Sequence, residues 1–429
     1  MHHQVNQTVS LVVESARLTP GLGATGEVKK PPAPRLEVGL LTGGIDKPYA
    51  YGLSMALTSK DVHVDFIGSD EVEARELRSN TNLKFLNLRG SQEEARFSVK
   101  VHRILLYYVL LIRYAFSAKP KVFHILWNNK FQTIDRTALM LYYKALGKKI
   151  VFTAHNVNAA KRDGSDSALN RATLKIQYRL ADHIFVHTKE MKKELVADFG
   201  VSDSHVTVIP FGINNAVPRT PGFTPECARA ELGIPAGKKV ILFFGRIGPY
   251  KGLQFLADAF QRLSRECDDY CLVIAGKPKA GAERYLAKIQ ESIAGLIEDG
   301  RVIQNIGFIP DEQTELYFKA ADVVAIPYTA SYESGVLFLA YSFGLPVIAS
   351  DVGSMRDSIV EGRTGLLCAP GDAVGLAAAI KAYFASDLYT NLDRMRQEIC
   401  AYANARNSWD TVGDVVRNVY ARFVEGARQ

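Results

Sequence analysis

Cysteine is scarce in this 429-residue chain: Cys227, Cys267, Cys271, Cys368 and Cys400 are odd in number and include no C-x-x-C pair. That excludes a disulfide framework and a thiolate zinc site, and leaves reduced core or surface thiols as the expectation. Long apolar runs are missing too: the longest, residues 104–112, falls far short of the roughly 18 residues a bilayer-spanning helix needs. No D-x-D occurs, so no acidic motif that would hold a metal on a diphosphate is visible, and the expected metal and cofactor requirement is none. The basic stretches carry no DNA- or RNA-binding motif, which argues against a nucleic-acid partner. Residues 1–35 lack a cationic start followed by an apolar core. They end in Lys29-Lys30-Pro31-Pro32-Ala33-Pro34, so they are expected to form a flexible leader rather than a signal peptide, in a cytoplasmic protein. A G-x-G-x-x-G at residues 21–26 is discarded, because no strand precedes it and no helix follows.

What is present is ordinary globular composition, 47% hydrophobic and 23% charged, on a chain long enough for two domains. Short Val/Ile/Phe-rich strands alternate with helical patterns, which predicts parallel sheets covered by helices on both faces. A first set of strands is predicted at 36–42, 63–67, 122–127, 149–153, 183–186 and 206–210. A second set is predicted at 239–244, 271–275, 302–306, 323–327, 346–349 and 365–368. A Gly-, Pro- and Asn-rich linker at 211–225 separates them. The last segment, 407–424, predicts a helix capped by Ser408, with Trp409, Val412, Val416, Tyr420 and Phe423 at helical spacing. The expected fold is α/β, with two Rossmann-like doubly wound domains facing each other across a cleft. Its parts are a leader (1–35), a first domain (36–213), a second domain (214–406) and a terminal helix (407–429) that packs toward the first domain.

The formal charge of +7 is unevenly spread. Residues 96–193 hold nineteen Lys and Arg against five Asp and Glu, a surplus of fourteen positive charges. Such a field attracts anionic membrane surfaces or lipid phosphates if its cations face one way, and is weak if they are scattered over helix faces. The segment contains a helical stretch, 99–114, apolar on nearly all sides between basic residues. It is open at this stage to two readings, a buried core helix or an interfacial one.

Doubly wound sheets bind ligands at the carboxyl ends of their strands, so polar and glycine-rich stretches just after strands are the candidate sites. Four stand out. Gly43 and Gly44 follow the opening strand, where a glycine pair lets the backbone approach a ligand; a plain tight turn is the alternative. His155 ends the strand 149–153, placed either to contact a sugar hydroxyl or as a structural histidine. In Phe243-Phe244-Gly245-Arg246-Ile247-Gly248-Pro249-Tyr250-Lys251-Gly252, Arg246 and Lys251 supply a guanidinium fork and a point charge able to neutralise a departing diphosphate without a metal; otherwise they are solvated loop cations. In Tyr332-Glu333-Ser334-Gly335-Val336, the amides of Ser334, Gly335 and Val336 start a helix that faces an anion, with Glu333 as acceptor for sugar hydroxyls. An ordinary acidic helix start is the alternative.

These stretches, in this order, resemble the retaining glycosyltransferases of family 4, which have the GT-B fold. Further landmarks are Val208-Ile209-Pro210-Phe211-Gly212-Ile213-Asn214, Gly344-Leu345-Pro346-Val347-Ile348-Ala349-Ser350-Asp351-Val352-Gly353 and Glu361-Gly362-Arg363-Thr364-Gly365-Leu366-Leu367. The likeness is dense in the second half and diffuse in the first. It implies that Arg246 and Lys251 bind the donor diphosphate, that His155 lies near the donor sugar, that Gly43-Gly44 borders the acceptor, and that Gly307-Phe308-Ile309 cradles the nucleotide base. Gly245 joins the donor-binding set. The implied reaction takes a hexose-type sugar from a UDP- or GDP-sugar to a lipid-linked glycan acceptor in cell-surface polysaccharide or glycoconjugate synthesis. The implied place is the cytoplasm, with peripheral attachment to an anionic membrane surface as a further expectation. The family usually carries two glutamates eight apart; here the matching positions are Ser331 and Leu339, and the position eight after Glu333 is Tyr341. Ribose recognition therefore lacks its usual carboxylate, which keeps a catalytically impaired binding subunit in view, beside an epimerase or phosphorylase on the same fold.

Overall fold

The computed structural model describes residues 36–425, apart from Ile45 and Glu94, so the leader and the glycine motif within it lie outside the described residues. Two parallel sheets organise the chain. The first comprises β1 (Leu36–Leu41), β2 (Val62–Gly68), β3 (Leu83–Asn87), β4 (Val122–Ile125), β5 (Lys149–Thr153), β6 (His183–Val186) and β7 (Val206–Val208), in the order β3-β2-β1-β4-β5-β6-β7. The second comprises β8 (Lys239–Phe244), β9 (Tyr270–Ala275), β10 (Val302–Asn305), β11 (Val323–Ile326), β12 (Val347–Ser350) and β13 (Gly365–Cys368), in the order β10-β9-β8-β11-β12-β13. Every ladder is parallel, as expected of strands that are apolar on both faces and linked by helical crossovers. Each sheet reverses its winding direction once, between β1 and β4 and between β8 and β11, and those switch points are where side chains can converge on a ligand.

Four helices matter for the site. Helix α1 (Lys47–Thr58) is capped by Asp46, whose Oδ1 accepts from the Tyr49 amide at 3.2 Å, with Pro48 in the first turn where its missing N–H costs nothing. Helix α2 (Phe97–Ser117) buries only Tyr107, Leu111 and Ala115. Helix α3 (Gly335–Ser342) follows β11. Helix α4 (Trp409–Glu425) closes the described chain and returns to the first sheet. No described helix is long and apolar enough to cross a membrane.

The return of α4 explains two glycines. The Trp409 indole lies where a Cβ on Gly52 would stand 2.1 Å away and one on Gly212 2.3 Å away, so neither position has room for a side chain. Trp409 Nε1 donates to the Ile213 carbonyl at 2.9 Å. Val412, Val416 and Tyr420 of α4 are buried in the same apolar cluster as Val38, Leu40 and Leu53, and Lys60 pairs with both Asp410 and Asp414 at 2.7 Å. The terminal helix is thus part of the first sheet's core, although the chain reaches it only after completing the second sheet.

Candidate active site

Gly43-Gly44, Gly245-Arg246 and the start of α3 lie at the switch points of the two sheets, while His155 follows β5 and Gly307-Phe308-Ile309 follow β10. After β1, Gly43 and Gly44 adopt φ of 62° and 65°, a left-handed conformation that glycine enters without strain. A Cβ on Gly43 would stand 2.9 Å from Trp127 Cβ, and one on Gly44 3.0 Å from Arg89 Cδ. The loop is anchored by Thr42, whose hydroxyl donates to the Ile67 carbonyl at 2.8 Å and accepts from the Gly44 amide at 3.1 Å. Trp127, just past β4, stacks face to face on His155 with centroids 4.2 Å apart and planes 1° from parallel. His155 also meets the Tyr49 ring edge-on at 4.6 Å, and His187 Nε2 lies 3.2 Å from its Nδ1. Burial first, and the neighbouring His187 second, hold the His155 imidazole neutral, well below the usual histidine range; its Nε2 is buried without a partner. A neutral ring with one unpaired nitrogen can donate to or accept from a hydroxyl brought against it.

In the second sheet, Gly245 follows β8 at φ 103°, and a Cβ there would come within 3.4 Å of Val336 on α3. Arg246 stands exposed beyond it. Together with Gly276, Lys277, Lys279 and Gly307-Phe308-Ile309, Gly245 and Arg246 line a cavity of about 560 Å³, with the Phe308 ring 78% exposed at its edge. Lys251 sits one turn on, held by Gly252, which takes φ 67° and packs so closely that a Cβ would fall 1.8 Å from the Pro327 carbonyl oxygen. The Lys251 Nζ lies 3.7 Å from the centroid of the Tyr328 ring. Burial, then the fields of Arg162 and Arg246, pull its pKa down to about 7. The Ser334 hydroxyl donates to the Tyr328 hydroxyl at 3.4 Å, which ties Lys251 to the start of α3. Ser334 occupies the N-cap position there without a capping side-chain bond. Glu333 is turned inward: its Oε1 is buried without a partner, and burial pushes its pKa up to about 7.

The structure also brings in residues that the motifs did not single out. Arg162, from the segment after β5, lies over the Tyr250 ring at 4.2 Å, and its neighbour Asp163 pairs with Lys279 at 2.6 Å. Tyr332 donates to Glu194. Phe211 stacks on Phe338 of α3 with centroids 5.4 Å apart while meeting His187 at 4.9 Å. The first sheet's histidine cluster and the second sheet's helix start are therefore joined through one ring, and three cations, Arg162, Arg246 and Lys251, face one region. A rule that inspects the residues just past every strand end would have found Trp127, but not Arg162, which lies nine residues beyond β5. Phe211 carries no local signal. Neither position matching the family's second glutamate offers a carboxylate: Leu339 is buried, and the buried Tyr341 hydroxyl donates to the Ser358 carbonyl at 3.1 Å and lies 2.8 Å from the Thr364 hydroxyl, from which it can accept.

Two Rossmann-like sheets with their ligand loops at paired switch points define the GT-B class. Sequence comparison agrees. Residues 47–217 match the family described as Glycosyltransferase Family 4, and residues 238–386 match Glycosyl transferases group 1. Each model covers less than half of the chain, which is thus similar to glycosyltransferase family 4 in its first half and to glycosyl transferases group 1 in its second. The D-inositol 3-phosphate glycosyltransferase of Corynebacterium efficiens is 30% identical over 291 residues, 63% of this chain and 65% of that relative. The protein of the same name from Arthrobacter is 34% identical over 206 residues, 48% of each. The matches thus span less than two thirds of these relatives' length. Among solved structures, sucrose-phosphate synthase from Thermosynechococcus elongatus superposes with a TM-score of 0.70 at 21% identity, covering 91% of this chain and all of that one. Anabaena HepE, in complex with UDP and glucose, superposes with a TM-score of 0.69 at 17% identity over 90% of this chain and 99% of its own. At these identities the likeness speaks for the fold.

Proposed function

We propose that the chain is a retaining, metal-independent glycosyltransferase that moves a hexose-type sugar from a UDP- or GDP-sugar to a glycan acceptor carried on lipid, in cell-surface polysaccharide or glycoconjugate synthesis. The observation that carries this reading is the convergence of Lys251, Arg246 and Arg162 on the N-terminal end of α3, beside a cavity edged by Phe308. As the glycosidic bond to phosphate breaks, negative charge collects on the departing nucleoside diphosphate. Fixed cations and helix amides placed there lower the barrier more than they stabilise the bound donor. The sugar is left oxocarbenium-like, and the departing phosphate oxygen takes the acceptor hydroxyl's proton on the same face, so no side chain is assigned as a covalent nucleophile. Gly307, Phe308 and Ile309 hold the base, Gly245, Ser334, Gly335 and Val336 present backbone to the diphosphate, and neutral His155 and Glu333 bond sugar hydroxyls. Gly43 and Gly44 leave room for the acceptor. The curated relatives are named for a phosphate-bearing acceptor, and the positive surplus of residues 96–193 suits an anionic acceptor here as well. A lipid-borne acceptor calls for a chain that works peripherally, at the inner face of a membrane.

Replacing Arg246 or Lys251 with Ala should lower transfer at least ~100-fold, the scale of losing one preorganised charge-stabilising donor. Near wild-type rates in both variants sink the assignment. The absent second glutamate favours one alternative, a subunit that binds donor without turning it over; tight nucleotide-sugar binding with no turnover on any acceptor would select it.

A further inference from the structure

Helix α2 has the wrong surface for its surroundings. It packs through Tyr107, Leu111 and Ala115, and its opposite face carries Val101, Leu105, Val109, Ile112 and Phe116 at helical spacing into solvent. Leu105 is 56% exposed, Val109 54% and Phe116 76%. Phe131, itself exposed, stacks on Tyr108 at 5.6 Å and extends the apolar surface. A contiguous apolar stripe of this length on a folded surface calls for a covering partner.

Charge says what covers it. Helix α2 contains no Asp or Glu, while exposed His102 and Arg113 border the stripe, exposed Lys119 and Lys121 follow its end, and Lys100, in line with Tyr107, faces the adjoining cavity. A second copy related by a two-fold axis would bring these basic rows against each other. An anionic lipid surface takes up both features at once, the stripe among the acyl chains and the cations among the head groups.

The first-sheet cavity at the N-terminal end of α2 is continuous with that face. It measures about 400 Å³ and is lined by four cations, Arg89, Lys100, Arg103 and Lys130, against one acid, Glu93, around Tyr107 and Tyr108. One guanidinium nitrogen of Arg89, Nη1, is buried without a partner, and the Arg89 side chain packs against Gly44 of the glycine loop. Arg89 therefore touches both the cavity beside α2 and the glycine loop.

We propose that the outward face of α2 docks on an anionic bilayer, so that the basic cavity at its end receives an acceptor head group at the membrane surface. The proposal rests on the reading of a lipid-borne acceptor. The full chain should sediment with vesicles of equal parts phosphatidylglycerol and phosphatidylcholine at low salt, much less at high salt, and not with phosphatidylcholine alone. Leu105→Glu combined with Val109→Glu should weaken that binding by about tenfold or more, and Arg113→Glu should weaken it and flatten its salt dependence. Both changes sit on the exposed face, so melting temperature and slow hydrolysis of the nucleotide-sugar donor should be unchanged in either variant. Wild-type vesicle binding by the double variant overturns the proposal, as does equal binding to neutral vesicles. So does a stable dimer in solution that the double variant dissociates, since a second copy would then be the occupant. For the wild-type chain, no vesicle binding with donor hydrolysis intact refutes the surface alone, and binding without donor hydrolysis refutes the transferase reading alone.

Discussion

Lys251 offers a test in which protonation itself reports on the diphosphate site. In the empty protein its pKa is about 7, so about a tenth of the molecules carry the ammonium at pH 8 and about a hundredth at pH 9. A donor diphosphate placed against Nζ stabilises the charged form and returns the group toward the ordinary lysine value of about 10.4. The sign follows from linkage: the complex holds more protons than the free protein, so donor binding weakens as pH rises through 7. Full restoration predicts that the dissociation constant for an intact nucleotide sugar, whose diphosphate does not titrate in this range, rises about fivefold from pH 7 to 8 and about tenfold more from 8 to 9. At pH 8, binding should take up about nine tenths of a proton. Calorimetry in two buffers of different ionisation enthalpy measures both quantities. In Lys251→Arg the cation is permanent, so the slope should vanish whatever the absolute affinity. A flat wild-type profile refutes the placement of Lys251 on the diphosphate, and an unchanged slope in Lys251→Arg refutes its part in the proton uptake.

Three further outcomes follow from the geometry. Glu333, raised to about 7, binds its proton more tightly in the folded chain, so stability is highest below about pH 4.5 and falls as pH climbs toward 7. Glu333→Gln should therefore melt higher than wild type at pH 8, by up to about 3 kcal/mol of stability, with the gap closing near pH 5; equal melting at both pH values would contradict the burial argument. Trp409→Ala, which empties the space kept open by Gly52 and Gly212, should cost about 3–5 kcal/mol in denaturant unfolding, and a loss under about 1 kcal/mol would show that α4 is not part of the first core. Transfer should survive EDTA, because Arg246 and Lys251 are available to neutralise the departing diphosphate and the sequence has no D-x-D; activity lost on chelation and restored by magnesium or manganese would overturn that.

Much of this architecture is legible in the sequence because the strands of a doubly wound sheet are buried on both faces and read as unbroken apolar runs. The predicted strands 149–153, 183–186, 239–244 and 365–368 coincide with β5, β6, β8 and β13. The exception is instructive. β3 is an edge strand, Leu83-Lys84-Phe85-Leu86-Asn87, with only Leu83 buried, so it carries neither a continuous nor a cleanly alternating pattern and was not predicted. The predicted strand 206–210 ends at Val208, before Pro210, which has no amide to continue a ladder. Helix α2 shows the reverse limit. Apolar residues surround its axis, so periodicity could not separate a core helix from an interfacial one, and only its one-sided packing does. Within the site, glycines and cations clustered after one strand are visible as motifs. Arg162 over Tyr250 and Phe211 between His187 and Phe338 join positions far apart in the chain, and nothing local marks them.

The most direct measurement is release of nucleoside diphosphate from a panel of UDP-, GDP- and ADP-sugars, followed by mass spectrometry in the presence of EDTA, for wild type, Arg246→Ala and Lys251→Ala. The account predicts that wild type slowly hydrolyses a UDP- or GDP-sugar without acceptor, and that either substitution lowers the rate at least ~100-fold. No hydrolysis of any donor by wild type, or hydrolysis that both substitutions leave unchanged, would contradict it.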